Sequence, residues 1–227
     1  MALIQQALIL AAGRGTRMAP LTDVIPKPMA PYAGTTLIAN GIENIRRHLS
    51  KIYVTVGYKK AVLAQHVIEH GASVVLNTEG HGNAWWLYNT LLSNLDEPIY
   101  VLTCDNVVHL NFALLEAEYG RLGNPAVMLV PVVPVAGLEG DYIVQEECVV
   151  RSIDRKTVSD IYCSGIQIVN PAKVNRLTAQ TEDFYEVWEQ LIKIEEVKAS
   201  TVYPDQWFTV DTLEQLDTVN RAVRKVS

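Results

Sequence analysis

Residues Leu10 to Pro31 read LAAGRGTRMAPLTDVIPKPMAP, and the rest of the chain is best read outward from them. The apolar residues Ala7 to Leu10 run into a loop that holds Gly13, Gly15 and the arginines Arg14 and Arg17. Glycines at this spacing let the backbone turn sharply and bring N–H groups close to an anion. Arg14 and Arg17 add charge-assisted hydrogen bonds to phosphate oxygens. Further on, Pro26 and Pro28 flank Lys27 and hold it on a stiff, extended path. The pattern is a strand feeding a phosphate-binding loop. Two common versions of such a loop do not fit. The dinucleotide fingerprint G-x-G-x-x-G has Met18 in place of its third glycine, and the Walker sequence G-x-x-x-x-G-K-[ST] is absent.

Away from the loop, Ala7–Leu10, Ile52–Val56, Val74–Leu76 and Ile99–Thr103 are short, β-rich and nearly continuous in apolar character. Strands buried on both faces of a parallel sheet read this way. Amphipathic periods separate them: Ile38, Ile42, Ile45 and Leu49 share one face, and Ala84, Leu87, Leu91 and Leu95 another. The second half is more mixed. Ala126–Val133, Tyr142–Gln145, Cys148–Ile153 and Ile161–Val169 read as strands without intervening helices, followed by a helix marked by Phe184, Val187, Trp188, Leu191 and Ile192. Strands near Val197–Tyr203 and Trp207–Val210 precede a last helix, where Thr212 and Gln215 have capping-box spacing. The expectation is an α/β fold with a mixed, mostly parallel sheet flanked by helices. A small antiparallel excursion falls around residues 134–160, and residues 1–227 form a single domain.

Composition narrows the function classes. Of 227 residues, 49% are apolar and 19% charged, which suits a packed core. The net charge of −6 without a basic run argues against a nucleic-acid partner. Cys104, Cys148 and Cys163 form neither a disulfide framework nor a CxxC metal site, which fits a reducing, cytoplasmic setting. Met1 to Ala12 is apolar but has no basic stretch before it and no cleavage site after it. No segment is long enough to span a membrane. His66 and His70 fit the zinc pattern H-x-x-E-H, but no third ligand follows, and the match reads as chance.

The stretch from Leu10 to Pro31 closely resembles the N-terminal signature of the sugar-1-phosphate nucleotidylyltransferases, LAAGxGTRMxPLTxxxPKPMxP. Their superfamily includes the CTP:phosphocholine cytidylyltransferases. The resemblance implies a Rossmann-like fold of the nucleotide-diphospho-sugar transferase type. It also implies transfer of a nucleoside monophosphate from an NTP to a sugar 1-phosphate, with release of pyrophosphate and with Mg²⁺ as cofactor. Transfer from CTP to phosphocholine or another small phosphoalcohol is the alternative. The partners implied are an NTP and a small phosphate-monoester acceptor, with neither nucleic acid nor membrane, and a homo-oligomer is left open. Leu10, Ala12, Gly13, Arg14, Gly15 and Thr16 map onto the nucleotide cradle, and Arg17 and Lys27 onto the catalytic cations. On residue type alone Asp105 is equally a turn residue and Asp211 a helix N-cap. The resemblance assigns both to the metal, Asp211 within the element Trp207-Phe208-Thr209-Val210-Asp211-Thr212. If the strands before them run parallel in the sheet, both aspartates lie outside carboxyl ends, on the ligand side of the sheet.

Two matches are partial. Ile153-Asp154-Arg155-Lys156, followed by Ser164-Gly165-Ile166, is similar to the family's I-x-E-K element and its G-I-Y strand. It nominates Lys156 for the acceptor's phosphate and places Gly165 beside it, with Arg155 in reserve; a solvated basic pair is the plainer reading. Glu79-Gly80-His81-Gly82-Asn83-Ala84-Trp85-Trp86 is similar to E-P-L-G-T-A-G-A, which assigns Glu79 and Gly82 to the nucleotide. There Trp85 and Trp86 replace small residues. Either they are packing residues, or at least one faces the acceptor and narrows its pocket.

Overall fold

The computed structural model describes residues 4–135, 138 and 140–224. Part of the excursion expected around 134–160 therefore lies outside the described residues. The chain divides into two compact units that alternate along the sequence. The first takes in residues 5–80, 102–109 and the stretch from Gln206 onward; the second takes in Ile4, 81–101 and 110–205.

The first unit is the parallel part of the α/β fold. Lys51–Val56 lies between Gln6–Leu10 and Val74–Asn77, parallel to both, in registers that run from Gln6 opposite Lys51 and from Tyr53 opposite Val74. The helices Leu37–Arg46 and Lys60–Glu69 connect these strands. Thr36 caps the first of them by accepting a hydrogen bond from Ala39 N at 3.2 Å, and Ile38, Ile42 and Ile45 are buried, as their spacing predicts. The signature loop leaves the carboxyl end of Gln6–Leu10. Met18, which displaces the third glycine of a dinucleotide loop, is fully buried with Ala30, Tyr32, Leu37, Val210, Leu216 and Val219. Its side chain thus helps anchor the C-terminal helix Leu213–Arg224 against the signature segment. The predicted capping box forms at that helix: Gln215 N donates to Thr212 Oγ1, and Thr212 N to Gln215 Oε1 at 3.0 Å.

The second unit carries mixed strands. Val127–Val132 runs antiparallel to Tyr162–Val169 and parallel to Val197–Ala199. The hairpin Tyr142–Glu146 and Val149–Asp154 supplies the expected antiparallel addition, turning at Glu147 and Cys148, both in left-handed conformation. The helices Phe112–Arg121, Pro171–Leu177 and Phe184–Ile192 complete it. The α/β class with a mixed, mostly parallel sheet holds. No helix among the described residues is long and apolar enough to cross a membrane.

Two local expectations need correction. The helix read through Leu95 is the short Trp85–Asn89, and Leu91 is 62% exposed. Thr90 Oγ1 donates to Trp86 O and Asn89 Nδ2 to Trp85 O, so side chains take up the last carbonyls, while Thr90 is extended. The strand before Asp211 does not run parallel in the same sheet as Ile99–Thr103, the strand before Asp105. Gln206–Thr209 instead pairs antiparallel with Asn106–His109 in a separate two-stranded ribbon.

Candidate active site

The ribbon brings the aspartates together by another route. Its register sets Thr209 opposite Asn106, and Val210 N donates to Asp105 O at 3.0 Å. Asp105 just before one strand and Asp211 just past the end of the other are thereby held side by side. Cys104 N also donates to Leu10 O at 3.1 Å, which fixes Asp105 next to the origin of the signature loop.

Lys27 closes the cluster. Its Nζ donates to Asp105 Oδ2 and to Asp211 Oδ1, each at 2.7 Å. Arg17 Nη2 lies 2.7 Å from the same Asp211 oxygen. Lys27 is only 8% exposed. Burial pulls its pKa down, but the Asp105 carboxylate and hydrogen bonds to both aspartates outweigh this and hold the ammonium above its usual range. The short turn Lys27–Met29 follows Pro26, whose extended backbone sets the direction of approach. Gly15 makes that approach feasible. It sits at φ +67°, and a Cβ there would lie 2.6 Å from Lys27 Cβ, so a side chain at 15 would displace the lysine stem.

The loop itself is open to an anion. Among the described residues, the backbone N–H groups of Gly13, Arg14, Gly15 and Thr16 donate to no protein acceptor. Ala11 N is satisfied by buried Thr55 Oγ1 at 3.0 Å, and Ala12 O accepts from Tyr58 N. These bonds pin the loop's base at Ala12 beside Leu10. Arg14 is exposed, 5.3 Å from the centre of the Tyr58 ring and 3.9 Å from Asp23. Glu79, also exposed, pairs with Lys60 at 2.6 Å.

A divalent cation fits this cluster. Two carboxylate oxygens already converge on one positive group, and Mg²⁺ takes one or two carboxylates with substrate oxygens completing its shell. Among the described residues no set of three or more His, Cys, Asp or Glu side chains gathers as a metal site. That bears on His66 and His70, whose rings lie 4.5 Å apart while His66 Nε2 engages Thr36 Oγ1 at 2.8 Å.

The candidate acceptor residues all belong to the second unit. Trp86 is 1% exposed and packs near Phe184, with ring centres 6.3 Å apart. Trp85 is half-buried and stacks on His81 at 4.2 Å, nearly parallel. Glu182, which no sequence pattern singles out, organises this loop. It accepts from Gly82 N at 3.0 Å, faces His81 Nδ1 at 3.2 Å, and its carbonyl accepts from Ala84 N. A Cβ on Gly82 would come within 2.1 Å of that carbonyl oxygen, which is a structural reason for the glycine. Lys156 is exposed; its backbone N–H and that of Thr157 donate to Asp154 Oδ1. Arg155 pairs with Asp141 at 3.0 Å. Gly165 lies exposed within the irregular stretch of Tyr162–Val169, at φ +78°.

Comparison with known proteins agrees with the resemblance. The bifunctional protein GlmU of Methanococcus maripaludis is 54% identical over 54 residues, covering 24% of this chain and 13% of that protein. The mannose-1-phosphate guanyltransferase of Schizosaccharomyces pombe is 26% identical over 186 residues, 76% of this chain and 51% of the enzyme. This chain therefore spans about half or less of the length of these curated relatives. Among solved structures, the inositol-1-phosphate CTP transferase from T. maritima superposes with a TM-score of 0.80 at 16% identity, covering 99% of this chain and 97% of that one. The CTP:phosphocholine cytidylyltransferase from Streptococcus pneumoniae gives 0.75 at 21% identity, covering 97% and 100%. At these identities the structures establish the fold. Residues 7–138, more than half of the chain, match the MobA-like NTP transferase domain, and the chain belongs to that family.

Proposed function

We propose that this chain transfers a nucleoside monophosphate from an NTP to a sugar 1-phosphate, giving an NDP-sugar and pyrophosphate, with Mg²⁺ as cofactor. The observation that carries this reading is the convergence of Lys27, Arg17, Asp105 and Asp211 beside a loop with free N–H groups. Such transfers need positioning and charge neutralisation more than covalent help. An oxygen of the acceptor's phosphate attacks the α-phosphorus, and the bond from that phosphorus to pyrophosphate breaks. The attacking phosphate is largely ionised at neutral pH, since its second pKa is about 6, so no general base is required. Gly13, Arg14, Gly15 and Thr16 cradle the triphosphate through their backbone, while Arg17 and Lys27 supply positive charge. Leu10 and Ala12 shape the base of the cradle, and Glu79 and Gly82 are assigned to the nucleoside. Lys156 and Gly165 are assigned to the acceptor. Asp105 and Asp211 would hold the cation, which when bound neutralises charge on the phosphates.

The names of the curated relatives favour a sugar phosphate. A second reading, transfer from CTP to a small phosphoalcohol such as phosphocholine, is supported by the stacked, half-exposed Trp85. A cytoplasmic setting suits three cysteines that stand free. The test is pyrophosphate release from each of four NTPs against a panel of sugar 1-phosphates and phosphoalcohols, with and without Mg²⁺. Metal-dependent release with one class of acceptor supports the corresponding reading. Binding of an NTP without release in any combination would make the chain a nucleotide-binding module instead.

A further inference from the structure

We infer that Lys27 is a built-in competitor for the metal: its ammonium occupies the carboxylate pair until a triphosphate draws it away, so the divalent cation enters with the nucleotide rather than ahead of it. This rests on the reading of Asp105 and Asp211 as cation ligands. The geometry is specific. Lys27 Nζ is equidistant, at 2.7 Å, from one oxygen of each aspartate, which is the gap a shared cation would fill. Mg²⁺ sits about 2.1 Å from its oxygens. An ammonium and a dication cannot share a gap of that width, because the space is single and their charges repel. Arg17 reinforces the block by holding the same Asp211 oxygen that Lys27 holds. Two carboxylates and two cations make the cluster neutral, so it offers little attraction to a free dication.

The same arrangement explains its release. Arg17 is 67% exposed at the side chain and lies two residues beyond Gly15, at the end of the open loop. A triphosphate in that loop offers denser negative charge to both cations than the two carboxylates do. The packing of the Lys27 stem over Gly15 keeps the ammonium within reach of either partner, so a change in its torsion angles rather than a backbone movement exchanges them. Asp105 and Asp211 are then left unpaired, and a dication arriving with the nucleotide meets two free carboxylates.

The test is Mn²⁺ binding without nucleotide, followed by electron paramagnetic resonance of the free ion. Wild-type protein is expected to bind weakly, and Lys27→Met to bind at least tenfold more tightly. Adding Asp211→Asn to Lys27→Met should remove the gain. Arg17→Gln, a change at an exposed side chain that keeps the buried lysine, should tighten binding by a smaller factor of about three. Thermal melting gives a second readout that does not depend on the affinity measurement: Mn²⁺ should raise the Tm of Lys27→Met more than that of wild type. If neither Lys27→Met nor Arg17→Gln binds Mn²⁺ more tightly than wild type, the competitor role is overturned. A gain that survives loss of Asp211 would also overturn it, by placing the ion elsewhere. Failure of the proposed reaction is seen separately, as absence of pyrophosphate release from wild type.

Discussion

The signature cluster of the first unit and the Trp85 loop of the second are built on opposite principles. In the first, charged groups meet one another and backbone donors are left open: Lys27 and Arg17 share Asp211, while N–H groups from Gly13 to Thr16 find no acceptor among the described residues. In the second, the backbone is closed by Glu182, which takes up Gly82 N and Ala84 N, and the large side chains pack on one another. An open backbone beside neutralised charges is suited to receive a polyanion. A closed backbone with one half-buried ring is suited to present a shaped surface. The contrast teaches where substitutions should act on chemistry and where on stability or selectivity.

The largest effect should come from the charged cluster. Asp211→Asn removes one of two carboxylates assigned to the cation and should lower turnover on the order of a hundredfold or more, with the fold retained. Turnover near wild type at saturating Mg²⁺ would erase the distinction drawn above. Next, Trp86→Ala should cost about 3–5 kcal/mol of stability through the cavity it leaves, measured by urea unfolding, with the ranking of acceptors unchanged. Trp85→Ala should do the reverse. Its ring is only half-buried, so stability should change little, while relative kcat/KM among acceptors shifts by about tenfold, or 1.4 kcal/mol. If Trp86→Ala alters the ranking and Trp85→Ala does not, the roles of the two rings are exchanged.

The smallest effect lies in the second unit, at Glu118, which belongs to neither the signature cluster nor the Trp85 loop. Arg121 donates two hydrogen bonds to Glu118, and Thr201 donates two more, which holds the Glu118 carboxyl down at about 2. A depressed carboxylate contributes stability that is fully present above its unfolded value, near 4.5, and is lost as pH falls toward about 2. Glu118→Gln should therefore flatten the acid limb of the urea-midpoint profile over that window and leave turnover at pH 7 unaltered in rank among acceptors. An unchanged acid limb would show that the bonds do not persist in solution.

Much of the fold was legible because its signals are local. Continuous apolar runs marked Gln6–Leu10, Lys51–Val56 and Ile99–Thr103 to within a residue, the spacing of Ile38, Ile42 and Ile45 marked Leu37–Arg46, and the capping box of Thr212 and Gln215 marked the start of Leu213–Arg224. The extent of Trp85–Asn89 was not legible, since the side-chain bonds of Asn89 and Thr90 overrode a helical period that continued to Leu95. The ribbon Asn106–His109 with Gln206–Thr209 was also missed as a pair. Each strand is four residues long and carries only a weak alternating pattern, and pairing across such a sequence separation leaves no local trace.

The sequence by itself determined which residues could carry phosphate chemistry: the spacing of Gly13 and Gly15, the arginines beside them and a lysine between prolines act within one short segment. It also determined that Met18 could not serve as a loop glycine, because a large apolar side chain must be buried somewhere. Only the tertiary structure decided that Asp105 and Asp211 meet on Lys27, which is 78 residues from one and 184 from the other. Their meeting depends on strand pairing in the ribbon and on the core that Met18 shares with Val210 and Leu216. Likewise only the structure separated Trp85 from Trp86. Adjacent positions on a helix point about 100° apart, so identical side chains next to one another come to lie one half-exposed and one in the core.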